Sequence, residues 1–316
     1  MSHPHYPHPV AAGASITGQH ALTALYHHRL VSTGQLHRMI TPHHARSEYL
    51  RRQLQLLRAD GLVDCVNRRR RGQSELLWWV TQDGADAVDA TGLLPKRPYR
   101  MSRHAAAGPL QEHTLANVEA GLAFLTHAAR LGHECGPLDW TPEVAHHYRA
   151  DDRPGEDLAL IPDAVLHYLY AGPDQQRTLL TLFLEIDRAQ MTVGRLANKL
   201  HAYAAYHAYA PHPLARGVRR TAKPQPAWRS RYPIYPRILL VLTGATPAQL
   251  QRRITDLRSL VAADPDVTAT AIRAGVTTLE QLTEQGPWAP IFTPVLGPPT
   301  PTDLWLTTTH HAATAA

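Results

Sequence analysis

Residues 45–81 read ARSEYLRRQLQLLRADGLVDCVNRRRRGQSELLWWVT. Three leucines in the first part of this stretch recur at i, i+4 and i+7, which is the spacing of one face of an α-helix. They are Leu50, Leu54 and Leu57. Gly61 predicts the end of the helix, because glycine is the usual residue just beyond a helix C-terminus. We therefore expect an amphipathic helix over residues 45–60.

A β-hairpin with a basic tip is predicted directly after this helix. Residues 62–66 and 75–81 are apolar runs of strand length, and residues 67–74 between them form a basic turn. Four consecutive arginines, at 68–71, lie in this turn. We expect the tip of the hairpin to lie along DNA phosphates or in a minor groove.

The flanking residues complete the order of elements found in a winged helix-turn-helix. Helices predicted over residues 19–30 and 34–40 precede the arginine-rich helix, and a closing helix over 82–90 follows the hairpin. In folds of this kind the recognition helix enters the major groove. We therefore predict a winged helix-turn-helix over residues 18–92 that binds double-stranded DNA.

Positive charge is concentrated in two segments, although the net charge of the chain is only +6. Residues 46–71 contain eight arginines and three acids, and residues 216–237 contain seven basic residues and no acid, so the remainder is acidic. This distribution favours a polyanionic partner, with two solvated charge runs as the alternative. The arginines predicted to contact DNA are Arg46, Arg51, Arg52, Arg58, Arg68, Arg69, Arg70 and Arg71.

The composition predicts a cytoplasmic protein that does not cross a membrane. The longest apolar runs, such as residues 179–184, are far too short to span a bilayer, and the first residues do not have the pattern of a signal peptide. Cys65 and Cys135 form neither a disulfide framework nor a metal-binding pattern. Homodimerisation, or association with replication and mobilisation proteins, stays open.

Proline-rich segments with little apolar pattern divide the chain. The predicted parts are a disordered tail over 1–17, the winged helix-turn-helix over 18–92, a linker over 93–109, a second domain over 110–284 and an irregular C-terminal tail over 285–316. The second domain has helices interspersed with strands, which indicates an α/β architecture. The whole chain is therefore expected to combine α/β and α+β classes.

Three carboxylates are predicted to converge at one end of a sheet in the second domain. Strand-like runs flank the turn at residues 171–176 and predict a hairpin. Counting back from the turn places Asp163 opposite Leu184 or Glu185, and Asp187 shares a face with Glu185 because side chains alternate along a strand. Neighbouring carboxylates repel one another, so this cluster predicts a bound Mg2+ or Mn2+ that activates water against a phosphodiester.

These acids also resemble a known nuclease motif. Pro162-Asp163, followed by Glu185-Ile186-Asp187, resembles the metal-binding motif of the PD-(D/E)xK superfamily, which has a restriction-endonuclease-like fold. In that motif a lysine stands where this chain has Asp187. Some members supply the lysine from the next helix, so the resemblance gives this role to Lys199, within a helix predicted over residues 192–209.

The layout of the whole chain looks like that of the bacterial replication-relaxation family. The resemblance begins with the winged helix and the helix opening EHTL at residues 112–115. It continues through Pro162-Asp163, residues 183–188 and residues 191–206. It covers about residues 18–262 and implies a function in plasmid replication, DNA relaxation or mobilisation.

Two functions follow from these resemblances. In the first, a Mg2+- or Mn2+-dependent deoxyribonuclease uses Asp163 and Glu185 as metal ligands, Asp187 as a third ligand or supporting group, and Lys199 to stabilise the scissile phosphate. In the second, a degenerate nuclease fold serves a non-catalytic regulator or replication accessory factor, which the aspartate at position 187 favours.

Several residues of the second domain have alternative interpretations. Glu185 and Asp187 could instead form structural ion pairs with Arg188 and Arg195. A covalent mechanism through a tyrosine of the helix over 192–209 is not favoured, because paired histidine ligands are not evident nearby. The residues concerned are Tyr203 and Tyr206, and His113 either assists the site or caps its own helix.

Overall fold

The computed structural model describes residues 13–70, 72–96, 101–108, 111–149, 156–172, 176–211 and 225–306. The chain divides into two compact units, residues 1–142 and 143–316, which are called the first and the second unit below. Helices and strands occur in both units, so the predicted mixed α/β class is confirmed.

The first unit contains the elements predicted for its N-terminal part. In chain order the elements are α1 (Ile16–His28), β1 (Val31–Ser32), α2 (Thr33–Ile40), α3 (Glu48–Ala59), β2 (Val63–Arg70), β3 (Gln73–Val80), α4 (Gln82–Thr91), α5 (Arg103–Ala106), α6 (Gln111–Leu131) and β4 (Trp140–Pro142). Strands β1, β3 and β2 form a sheet in that order. The two-residue strand β1 was not predicted; it pairs with β3 through Val31 and Ser32.

The leucine face predicted for α3 is the face that is buried. Leu50, Leu54 and Leu57 are each at most 1% exposed, whereas the arginines of the helix lie on its exposed side. The preceding helix α2 begins at a capping box in which the Ser32 hydroxyl accepts a hydrogen bond from the Gln35 backbone N–H. The spacing of the three leucines in α3 thus determines which side of this helix remains exposed to solvent.

The hairpin is longer than predicted, and its turn is shorter. Pairing of β2 with β3 continues to Arg70 opposite Gln73, so most of the predicted basic turn over 67–74 is strand. Gly72 has a φ of +80°, a conformation that glycine adopts easily and that permits a tight connection. Opposite charges also pair across the strands, at Arg68 and Glu75. Arg71 lies outside the described residues.

The division between the units differs from the predicted domain boundaries. Ala106, within the predicted linker over 93–109, is buried in a cluster with Leu77 and Trp79 of the hairpin and with Leu115 of α6. Apolar packing therefore joins α5 and α6 to the first unit rather than to a second domain beginning at residue 110. At the N-terminus, α1 begins at Ile16, inside the predicted tail; residues 1–12 lie outside the described part.

The second unit is built on a mixed sheet. Its elements are β5 (His146–Tyr148), β6 (Leu158–Leu160), β7 (Ala164–Ala171), β8 (Arg177–Asp187), α7 (Val193–Ala208), a 3-10 helix (Ala227–Ser230), β9 (Arg237–Leu242), α8 (Pro247–Ala262), α9 (Pro265–Thr268), β10 (Ala274–Thr278), α10 (Leu279–Gln285) and β11 (Thr293–Pro294). Five of these strands are neighbours in the order β11-β10-β9-β8-β7. Strand β8 runs antiparallel to β7 and parallel to β9, because α7 lies in the connection between β8 and β9.

The core of this unit lies between the sheet and two helices. Phe183, Leu240 and Leu242 on one sheet face form a buried cluster with Leu200 of α7 and Leu257 of α8. The predicted irregular C-terminal tail also contributes to the interior. Phe292 and Leu304 are fully buried, because residues as far as 306 pack back onto the unit.

Close packing in the first unit leads to a stability prediction for two glycines. A Cβ at Gly84 of α4 would lie 1.9 Å from the Leu62 carbonyl oxygen, whereas one at Gly34 of α2 would meet its nearest neighbour at 3.6 Å. Gly84→Ala should therefore destabilise the protein by about 1–3 kcal/mol. Gly34→Ala should leave it unchanged or stabilise it by up to about 1 kcal/mol, since alanine favours a helix. Thermal unfolding measures both, and equal effects would contradict the packing described.

Candidate active site

Asp163 and Glu185 lie side by side at one end of the sheet. The register pairs Ala164 with Leu184, so Asp163, which directly precedes β7, lies next to Glu185 on β8. The Asp163 carboxylate accepts a hydrogen bond of 2.6 Å from the Ile186 backbone N–H. The predicted proximity of these two acids is therefore present in the structure.

Lys199 approaches both carboxylates from α7. Its ammonium group donates a hydrogen bond to Glu185 Oε2 and lies 3.9 Å from Asp163 Oδ1. Helix α7 begins after Thr192, whose hydroxyl accepts from the Arg195 N–H and fixes the start of the helix. The structure thus brings together three of the four predicted catalytic residues.

Tyr203 completes the surroundings of the Glu185 carboxylate. It lies one helical turn after Lys199, and its hydroxyl donates a hydrogen bond of 2.7 Å to Glu185 Oε1. Both oxygens of Glu185 are therefore bound by side chains of α7. From the sequence, Tyr203 was considered only as a possible covalent residue and was not assigned to the carboxylate; its i, i+4 spacing from Lys199 was the available signal.

Burial dominates the electrostatics of this site. Burial, and to a smaller extent the charge of Asp163, raise the pKa of Glu185 to about 7 against the opposing effects of Lys199 and Tyr203. Burial alone would lower the pKa of Lys199, but the charges of Glu185 and Asp163 outweigh it, and the pKa is raised. Burial also holds the pKa of Tyr203 well above 10, so its hydroxyl keeps its proton and acts as a donor.

Asp187 does not join the other two acids, which corrects the predicted convergence of three carboxylates. Its Oδ2 accepts a hydrogen bond from Arg253 Nε on α8, and its Oδ1 accepts one of 3.1 Å from the Ala189 N–H. Arg253 also donates to the Met191 carbonyl at 2.6 Å. Asp187 therefore anchors the end of β8 to α8. Its partner is Arg253, not Arg188 or Arg195, and lies too far along the chain for local spacing to reveal it.

One group of three potential metal ligands is found among the described residues, and it lies elsewhere in the second unit. It consists of His201, Asp264 and Asp266. His201 Nδ1 lies 3.1 Å from Asp264 Oδ2, and the other oxygen of Asp264 caps the short helix α9. These contacts already explain the arrangement as a helix cap with a neighbouring histidine. His113 belongs to α6 of the first unit.

The arginines predicted to contact DNA fall into separate groups. Arg58 lies 3.3 Å from Asp64, and Arg68 is only 12% exposed because it contacts Glu75 at 3.4 Å and Glu112 at 2.5 Å. Arg68 is thus held inside the first unit, which corrects its placement at an open hairpin tip. Arg46, Arg51, Arg52 and Arg69 are exposed, and so is Arg58 despite its contact with Asp64. The Arg70 side chain and Arg71 lie outside the described residues.

The described part of the second basic segment has partners within its own unit. The Arg231 guanidinium donates to the Ala145 carbonyl at 2.9 Å, and Arg237 donates to the Trp305 carbonyl at 3.2 Å. Arg229 lies over the Trp228 ring at 5.0 Å. The predicted basic stretch over 216–237 is thus partly tied to the fold, and its residues 216–224 lie outside the described ranges.

The fold is that of a mixed α/β protein whose second unit holds a buried glutamate bound by a lysine and a tyrosine. The chain matches the model of the replication-relaxation family over residues 22–218, more than half of its length. It therefore belongs to the replication-relaxation family, which indicates a role in the replication or relaxation of plasmid or mobile-element DNA.

Comparison with curated proteins gave no match, and comparison with solved structures gave none either. Within the described ranges, no helix has both the length and the apolar character needed to cross a membrane.

The buried glutamate leads to a prediction about pH. Folding raises the pKa of Glu185 from 4.5 to about 7, so the unfolded chain releases this proton at lower pH than the folded one. The resulting stabilisation is present below pH 4.5 and is lost as the pH rises through about 7, by on the order of 3 kcal/mol. Glu185→Gln does not titrate and should show a smaller loss.

Thermal unfolding as a function of pH measures this difference. Glu284→Gln is the matched control, because Glu284 is an exposed glutamate on α10 and should keep the wild-type pH dependence. The assignment of the raised pKa to Glu185 fails if Glu185→Gln and the wild type respond alike.

Proposed function

We propose that this protein binds double-stranded DNA through its first unit and acts on that DNA through the site in its second unit. The element order from α1 to α4 and the sheet of β1, β3 and β2 support a winged helix-turn-helix. Arg51 and Arg52 of α3 support contact with a polyanion, because both are exposed and have no acidic partners of their own among the described residues, whereas Arg58 is paired with Asp64. In this proposal α3 enters the major groove, and the hairpin of β2 and β3 contacts the backbone.

The proposed reaction is divalent-metal-dependent cleavage or nicking of a phosphodiester. The observation that carries it is the position of the Lys199 ammonium, which lies between the carboxylates of Asp163 and Glu185. Two carboxylates fit Mg2+ or Mn2+, since such ions are commonly held by one or two carboxylates together with water and substrate phosphate. Asp163 and Lys199 are 15% and 34% exposed, so the group is reachable from solvent.

Each residue has a distinct role in this proposal. Asp163 and Glu185 would hold the ion, which when bound supplies an activated water and neutralises charge on the phosphate. Lys199 stabilises the negative charge that develops on the phosphate oxygens as water attacks and the leaving strand oxygen departs. Tyr203 is a positioning residue, because its hydroxyl holds Oε1 of Glu185 and thereby directs Oε2 towards Lys199 and Asp163.

A second candidate function is supported by Asp187. This residue stands where the nuclease motif has lysine, and its carboxylate is bound to Arg253 and to a backbone N–H instead of facing the other acids. A chain that uses the same fold as a binding platform without cleavage would have this arrangement. The protein would then be a replication accessory factor or regulator that binds DNA.

Cleavage of supercoiled DNA separates the two candidates. The substrate is a supercoiled plasmid that carries duplex sequences selected for binding by the chain. With Mg2+ or Mn2+, the wild type should convert it to open-circular or linear DNA, and EDTA should stop the reaction. Glu185→Gln and Lys199→Met should reduce the rate by roughly 100-fold or more, whereas Glu284→Gln should not change it. Binding of this plasmid without cleavage by the wild type would favour the accessory function.

The salt dependence of DNA affinity tests the interface itself. Arg69→Ala should reduce the slope of log affinity against log salt concentration by roughly 0.9, because one phosphate contact is lost. Arg68→Ala should leave the slope unchanged and lower the thermal stability, because Glu75 and Glu112 lose a shared partner. Fluorescence anisotropy at several salt concentrations gives the slopes. Equal slopes for Arg69→Ala and the wild type would exclude Arg69 from the interface.

A further inference from the structure

The exposed side of α3 has three distinct stripes. At about 100° per residue, the side opposite the buried leucines is the centre of the exposed side, and it contains Glu48, Arg52, Gln55 and Ala59. Residues seven apart fall close together, so the other exposed side chains form one flank on each side of this centre. The basic flank has Arg51 and Arg58, and the apolar flank has Tyr49 and Leu56.

The apolar flank has no covering element in the described part of the chain. Tyr49 is 44% exposed and Leu56 is 52% exposed, although both are large apolar side chains. His44 stacks beside Tyr49, with ring centroids 6.1 Å apart and an interplanar angle of 15°. A single exposed leucine needs no explanation, but two large apolar side chains on one stripe of a helix that also exposes three arginines suggest a partner that is both apolar and anionic.

The positive charges near the apolar flank indicate which kind of partner it binds. Arg46 and the arginines of α3 outnumber Glu48, so the same face of a second copy would be repelled, whereas a phosphate backbone would be attracted. The major groove of duplex DNA provides both features, because thymine methyl groups lie between rows of phosphates. Glutamine can form two hydrogen bonds with adenine in the same groove. Gln55 and Leu56 point about 100° apart around the helix, on either side of Arg52, so they would contact different bases of the same groove.

We propose that the exposed side of α3 reads an A·T-containing sequence, with Gln55 hydrogen-bonding adenine and Leu56 packing against the C5 methyl group of a thymine. This inference rests on the proposed binding of duplex DNA. It adds that different stripes of the helix have different roles: the basic flank contacts phosphate, whereas Gln55 of the centre and Leu56 of the apolar flank contribute sequence preference. Leu56 and Gln55 are thereby specificity-determining residues.

The experiment removes thymine methyl groups one at a time. Duplexes that bind the full chain are first selected from a random library, and each thymine of the selected sequence is then replaced by uracil, which pairs identically but lacks the methyl group. For the wild type, at least one replacement should weaken binding by about threefold to fivefold, the effect of one buried methyl-sized group. Leu56→Ala should bind the thymine and uracil duplexes equally. Leu260→Ala, which changes a leucine of α8 that is 44% exposed, should behave as the wild type.

A second arm tests the adenine contact. Gln55→Ala should lose roughly 5-fold to 100-fold of the preference for one A·T pair over G·C, because a paired set of hydrogen bonds is removed. The inference is overturned if Leu56→Ala keeps the uracil effect, or if Gln55→Ala keeps the full A·T preference. It is also overturned if Leu56→Ala changes the oligomeric state in solution, since the apolar flank would then be a contact between copies.

The outcomes separate this inference from the proposed function on which it rests. If the wild type binds duplex DNA tightly but without any sequence preference, the inference that α3 recognises the base sequence is overturned, while the proposed binding of duplex DNA stands. Absence of binding to any duplex overturns both.

Discussion

The buried carboxylate of Glu185 imposes the strongest constraint on the second unit. An ionised carboxylate that is 1% exposed would be very costly without partners, and this one has an ammonium group and a phenol hydroxyl, both from α7. The register of β7 and β8 places Asp163 beside it, and the path of the chain after β8 brings α7 back across the sheet. The pairing, the helix position and the site chemistry therefore depend on one another.

The spacing of residues along the chain was sufficient to predict the elements in which buried side chains recur at a regular interval. The leucine face of α3 follows from the i, i+4, i+7 spacing of its leucines. The proximity of Asp163 to Glu185 follows from counting residues back from the turn between β7 and β8. Contacts between distant segments left no comparable signal. Arg253 binds Asp187 across 66 positions, and Glu112 draws Arg68 into the first unit, so the roles of Asp187 and Arg68 could not be read from their neighbours.

The arginines of the first unit show how the same side chain acquires different roles. Arg68 is enclosed by two glutamates and contributes to the connection between the hairpin and α6, whereas Arg69, the next residue, is exposed. Alternation along a strand places consecutive side chains on opposite faces, and only one of these faces packs against other elements. A count of positive charges therefore overestimates the surface available to a polyanion, and burial decides which arginines remain free to bind.

The position of Lys199 also affects what the second unit needs in order to fold. Many small metal-binding domains are unfolded without their ion, because the free energy of metal binding supplies much of their free energy of folding. Here the chain supplies its own positive charge between two acids, so removal of divalent ions by a chelator would leave the native state intact. Any ion that enters must compete with an internal ammonium, and its apparent affinity falls accordingly. Phosphate from a bound partner could offer that ammonium an alternative site, which would make occupancy by an ion and by the partner mutually reinforcing.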